Sequence, residues 1–145
     1  MSGERPDGTG ASEPVPGESG GRPLPTLDIL VVDDEQRIRR TVRMCLEDDG
    51  HRVESVGTAD QAARAADRRS FDVAFVDLRL PGRSGMELIP DLLDHLPWLK
   101  IVVITAHASV ESAVEAMKRG AVDYLPKPFS TSEVRMAARK VAELR

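Results

Sequence analysis

The stretch Leu27-Asp28-Ile29-Leu30-Val31-Val32-Asp33-Asp34-Glu35 sets an almost unbroken apolar run directly against three carboxylates. A half-exposed strand alternates polar and apolar residues, whereas a continuous run such as Ile29 to Val32 fits a parallel strand covered on both faces. The polar residues that follow such a strand stand at its carboxyl end, which is where ligands bind in open α/β sheets. Downstream, the same pattern recurs. Ile38, Val42, Cys45 and Leu46 fall at helical spacing until Gly50, a natural stop. His51 to Val56 reads as a weaker strand, and an Ala-rich helix follows from about Asp60 to Arg68. Val73 to Val76 is a third strand, leading through a loop with Pro81 and Gly82 into a helix with Met86, Ile89, Leu92 and Leu93 inward. Pro90 inside that helix predicts either a kink in its second turn or a late start. Ile101 to Ile104 is a fourth strand. Val110, Ala113, Val114 and Met117 form a helical stripe ending at Gly120, Ala121 to Leu125 a fifth strand, and a last helix runs from Thr131 to Arg145. Five strand-helix units of similar length predict an alternating α/β domain with a parallel sheet and right-handed crossovers.

Upstream of Leu27 the composition changes. Residues 1–26 hold six of the 11 glycines and five of the 10 prolines with hardly an apolar side chain, so they are expected to form a disordered tail, leaving 27–145 as one domain. The whole chain of 145 residues is 41% hydrophobic and 30% charged, which fits that single domain. Its net charge of -4 and 3% aromatic content give no field or stacking surface for nucleic acid, and no apolar run is long enough to span a bilayer. One cysteine, Cys45, excludes an internal disulfide and fits a cytoplasmic location. Cys45 lies on the apolar stripe of helix one and reads as core. His51, His95 and His107 lie on different elements without a cysteine partner, which argues against zinc. Trp98 is expected to pack beneath its loop, and the Met and Ala stripes of helices four and five are expected to be mostly core, with part of that surface left for a partner.

The residues closing the strands converge on one rim: Asp33 and Asp34 after strand one, Asp77 after strand three, Thr105 after strand four and Lys127 after strand five. Singly, each has a plain alternative: a helix cap for Asp33 or Asp34, a turn for Asp77, an edge hydroxyl for Thr105, a solvated Lys127. Together they make a different chemical object. Three neighbouring carboxylates repel unless a cation compensates them, and a hard divalent ion such as Mg2+ suits an all-oxygen set. Such an ion lets a phosphoryl group approach an acidic cleft, while a lysine and a hydroxyl can serve its remaining oxygens. The constellation is therefore expected to place phosphate on an aspartate.

In Ile29 to Glu35, Asp77-Leu78-Arg79-Leu80-Pro81-Gly82 with Gly85, Thr105-Ala106-His107, and Asp123-Tyr124-Leu125-Pro126-Lys127-Pro128-Phe129, the chain resembles the receiver domain of two-component response regulators. The resemblance implies a flavodoxin-like (CheY-like) doubly wound sheet of order 2-1-3-4-5. It implies Asp77 as phosphoacceptor, Asp34 and Asp77 as direct Mg2+ ligands with the Arg79 carbonyl, and Asp33 helping through water. Thr105 and Lys127 would then bind phosphoryl oxygens, the Lys127-Pro128 bond would be cis, and Thr105 with Tyr124 would form the switch. The implied partners are a sensor histidine kinase and a second copy, through the face of helix four, strand five and helix five. Similarity is greatest to NtrC-type regulators, with Cys45 to Gly50 resembling the alginate-regulator branch. Those regulators meet nucleic acid through an output domain, for which this chain has no sequence, and helix five reaches Arg145 without a stop signal. A free-standing receiver is the alternative. An Asp-nucleophile phosphohydrolase would want a second Asp where Arg79 stands, and a flavin carrier would want phosphate donors where Asp33-Asp34-Glu35 stands.

Overall fold

The apolar runs pair in parallel along their whole length. A computed structural model describes residues 25–144. In it β1 (Asp28–Val32), α1 (Gln36–Asp48), β2 (Arg52–Val56), α2 (Ala59–Arg68), β3 (Val73–Asp77), α3 (Gly85–His95), β4 (Lys100–Thr105), α4 (Val110–Arg119), β5 (Asp123–Pro126) and α5 (Thr131–Glu143) alternate strictly. The sheet order is β2-β1-β3-β4-β5. β1 thus lies between β2 and β3, with Leu30 opposite both Glu54 and Ala74, and the strand order reverses there. The expected tail lies outside the described residues but for Pro25 and Thr26, which are exposed and carry no secondary structure.

Because strand side chains alternate, each central strand feeds two cores. Leu30, Val32, Ala74, Val76, Ile101 and Val103 pack with Ala62 and Ala65 of α2 and Leu88, Ile89 and Leu92 of α3. Ile29, Val31, Val73, Phe75, Val102 and Ile104 pack with Val42, Cys45 and Leu46 of α1 and Val134, Ala138 and Val141 of α5. Cys45 is core, as expected, and burial pushes its thiol pKa up. The starts of α2 to α5 are capped by side chains: Thr58 accepts from the Gln61 N–H, Ser84 from Met86, and Ser109 and Ser130 close capping boxes with Ser112 and Glu133.

Two packing expectations need correction. On α4 only Ala116 is fully buried, while Val110, Val114 and Met117 are 78%, 48% and 42% exposed. Apolar periodicity reports that a helix has an apolar face, not that this domain covers it. Trp98 is 54% exposed rather than tucked beneath its loop, because the neighbouring core volume is filled by Leu96 and Leu99.

Pro90 neither delays α3 nor ends it: the helix runs from Gly85 to His95. Without an N–H, Pro90 cannot serve the Met86 carbonyl one turn earlier. That carbonyl instead accepts a hydrogen bond from Arg119 Nη1 at 3.2 Å, across from the end of α4. Arg119→Ala is expected to cost about 1 kcal/mol of stability, and clearly less in a Pro90→Ala background, where the helix supplies its own donor. A double-mutant cycle by chemical denaturation measures the difference; equal losses in both backgrounds would rule out this role.

Candidate functional site

The fold brings the expected rim residues together at the carboxyl edge of β1, β3, β4 and β5. Asp33 continues the β1 ladder, its N–H donating to the Val56 carbonyl at 3.1 Å, and its side chain is fully buried. Asp33 Oδ1 accepts from the Glu35 N–H at 2.9 Å, which turns the chain into α1. The N-cap position of that helix is Glu35, without a side-chain cap, so neither Asp33 nor Asp34 is spent on capping. Asp77 is the last residue of β3 and 4% exposed, with Oδ1 accepting from the Arg79 N–H at 3.1 Å. Asp34 is exposed. Carboxylate oxygens of Asp33, Asp34 and Asp77 all lie within 4.8 Å of one another.

Lys127 enters from β5. Its peptide bond to Pro128 is cis, and its N–H donates to the Thr105 carbonyl at 2.7 Å. Its ammonium donates to Asp77 Oδ2 at 3.1 Å and to Glu35 Oε1 at 3.1 Å, and stands 2.8 Å from Asp33 Oδ2. Burial alone would lower the ammonium's pKa, yet Asp33, Glu35 and Asp77 hold it above the ordinary lysine range. Asp33 moves up as well: burial and the neighbouring Asp77 charge outweigh the pull of Lys127 and the Glu35 N–H. Lys127 holds the exposed Glu35 carboxyl below its usual range.

Thr105 closes β4 and is fully buried. Its hydroxyl oxygen accepts from the His107 N–H at 3.0 Å, and among the described residues it makes no hydrogen bond to Asp77. The adjoining Ala106 is exposed and small, leaving the approach to the rim open. Tyr124 on β5 is half-buried, its hydroxyl hydrogen-bonded to Ser112 Oγ of α4. Arg79 is exposed, in the loop directly after Asp77.

The carboxylate cluster fits a hard divalent cation. Asp33 Oδ2 is buried and makes no hydrogen bond, its contact with Lys127 being an ion pair outside hydrogen-bond direction. An oxygen-only donor set with one solvent-facing member, Asp34, matches Mg2+, which binds through few carboxylates and keeps several waters.

A sequence profile of the response regulator receiver domain matches residues 29–139. The chain belongs to the response regulator receiver family. Among curated proteins, this receiver is 46% identical over 117 residues to the alginate biosynthesis transcriptional regulatory protein AlgB of Pseudomonas aeruginosa, covering 81% of this chain and 26% of that protein. Among solved structures it is similar to NtrX from Brucella abortus, with TM-score 0.77, 36% identity, and coverage of 82% of this chain and 27% of that one. It is also similar to a response regulator from Burkholderia pseudomallei solved with a phosphorylated aspartic acid, calcium ion and citrate, with TM-score 0.74, 35% identity, and coverage of 81% and 69%. The receiver thus spans about a quarter of the length of the curated relative it matches. Among the described residues no helix is long and apolar enough to cross a membrane.

Three residues around the receiver's rim carried no role in the sequence reading. Glu35 shares the Lys127 ammonium with the buried carboxylates. Gly85 lets α3 start against the end of β3: a Cβ there would lie 2.0 Å from the Asp77 carbonyl oxygen, and its own N–H donates to the Leu78 carbonyl. Ser112 ties Tyr124 to the first turn of α4, where it also completes the cap with Ser109.

Proposed function

We propose that Asp77 of this receiver accepts a phosphoryl group from the phosphohistidine of a sensor histidine kinase. The observation carrying the proposal is the Lys127 ammonium set between Asp33 and Asp77, within a cluster of three carboxylates at the point where strand order reverses. A carboxylate oxygen of Asp77 attacks phosphorus, the new P–O bond forms as the P–N bond to the kinase imidazole breaks, and the imidazole leaves with the electron pair. Asp33, Asp34, Asp77 and the Arg79 carbonyl would hold Mg2+, which supplies charge neutralisation at the phosphoryl oxygens. Lys127 serves another phosphoryl oxygen from the opposite side, its approach fixed by the backbone bond to Thr105. Thr105 moves its hydroxyl toward the phosphoryl group, and Tyr124 follows by leaving Ser112. The face of α4, β5 and α5 is thereby remodelled for a second copy of the receiver, a role supported by the exposed Val110, Val114 and Met117.

Turnover is limited to the protein's own phosphorylation and autodephosphorylation, in the cytoplasm. Control of transcription would run through an output domain, as the name of the AlgB relative implies for that protein. Incubation with acetyl phosphate and Mg2+ is expected to add up to one phosphoryl group per chain by intact mass, and none after EDTA treatment or in Asp77→Asn. Equal incorporation in Asp77→Asn would overturn the assignment.

A further inference from the structure

A second polar cleft lies beside the acidic rim, between α1 and α2 over the end of β2, with a volume of about 690 Å³. Its walls carry three guanidinium groups: Arg39 from α1, and Arg64 and Arg68 from α2. Gln61, Arg64 and Arg68 recur at helical spacing, so they share one side of α2 and face the same space. The charges are not balanced within the cleft. Its single lining carboxylate, Asp67, is held by His95 Nε2 at 2.9 Å. Arg68 pairs with Glu54 at 2.6 Å, whereas Arg64 has neither a hydrogen bond nor an ion pair among the described residues. Arg39 donates through Nη1 to the Asp33 carbonyl at 2.7 Å, which fixes its guanidinium in place with its other donors left over. Arg39 also lies beside Gly57, where a Cβ would come within 3.2 Å of Nη1.

We infer that this cleft binds a small phosphate-bearing anion, held by Arg39, Arg64 and Arg68. Planar guanidinium forks match phosphate oxygens two at a time, and a fixed fork loses little freedom on binding. The cleft is open to solvent, with Arg64 and Arg68 exposed, so a charged ligand can enter without rearrangement of the walls. The site is separate from Asp77 and stands whether or not Asp77 is phosphorylated. Through Arg39 it abuts the backbone of Asp33.

The 145-residue chain, isotopically labelled and in magnesium-free buffer, is titrated with inorganic pyrophosphate and, separately, with succinate while amide chemical shifts are followed. Pyrophosphate is expected to give saturable shifts at Gly57, Gln61 and Arg64. The same shifts are expected in Asp77→Asn, and binding weaker by about tenfold or more in Arg64→Ala/Arg68→Ala, which retains a dispersed spectrum. Shifts confined to Thr105 and Lys127, no saturation, or unchanged affinity in the double variant would each overturn the site. Equal affinity for succinate would overturn the phosphate class.

Discussion

Gly85→Ala is expected to be the most damaging single substitution in the domain. An added Cβ would sit 2.0 Å from the Asp77 carbonyl oxygen and 2.8 Å from its carbonyl carbon. Both are backbone atoms of the innermost parallel strand ladder, with Asp77 paired opposite Ile104. No side-chain rotation can relieve that overlap, so either α3 withdraws from β3 or the end of β3 shifts. Overpacking that must be met by backbone movement costs about 3 kcal/mol, the upper part of the usual range. For a domain of this size that corresponds to a fall in Tm of roughly 10 °C. The functional consequence comes through the backbone that carries the Asp77 side chain, because the overlap is with the Asp77 carbonyl and Gly85 N–H donates to the Leu78 carbonyl, one residue beyond. Phosphorylation of the variant is therefore expected to slow even at temperatures where it is fully folded. A Tm and phosphorylation rate matching the parent protein would contradict the close approach.

Lys127→Ala is expected to separate two effects that a misfolded variant would not. The ammonium stands between Asp33 and Asp77 and also reaches Glu35, so it competes with any cation for the same carboxylates. Its removal leaves the cluster more acidic in net charge, and Mg2+ affinity is expected to rise by roughly tenfold, within the ~4 kcal/mol that a unit charge at close range can exert near a protein surface. The rate of phosphorylation by acetyl phosphate is expected to move the other way, falling by about 10²-fold or more, the usual cost of deleting one fixed donor to developing charge. Titration of Mg2+ by calorimetry and a time course of incorporation measure the two. Weaker Mg2+ binding together with slower phosphorylation would indicate general disruption instead.

The fold was legible because its strands are buried on both faces, which makes Ile29 to Val32, Val73 to Val76 and Ile101 to Ile104 stand out as continuous apolar runs. The rim was legible for a related reason: strand ends fix where Asp33, Asp77, Thr105 and Lys127 must lie, whatever the helices do. What escaped depends on contacts between elements distant in sequence. Nothing local marks Glu35 as a partner of Lys127, 92 residues away. Gly85 was visible as part of a motif, but its reason is the approach of another strand's backbone. Pro90 was ambiguous because the donor that replaces its missing helical bond, Arg119, belongs to α4. The exposed stripe of Val110, Val114 and Met117 reads in sequence like any buried stripe, since periodicity carries no information on what covers it.

Asp77, and not its neighbours Asp33 or Asp34, is expected to carry the phosphoryl group. Borohydride reduction of the protein after treatment with acetyl phosphate and Mg2+ converts an aspartyl phosphate into homoserine, and peptide mapping by mass spectrometry locates it. Homoserine is expected at position 77 alone; homoserine at position 33 or 34, or none in a protein shown by intact mass to be phosphorylated, would contradict the assignment of Asp77.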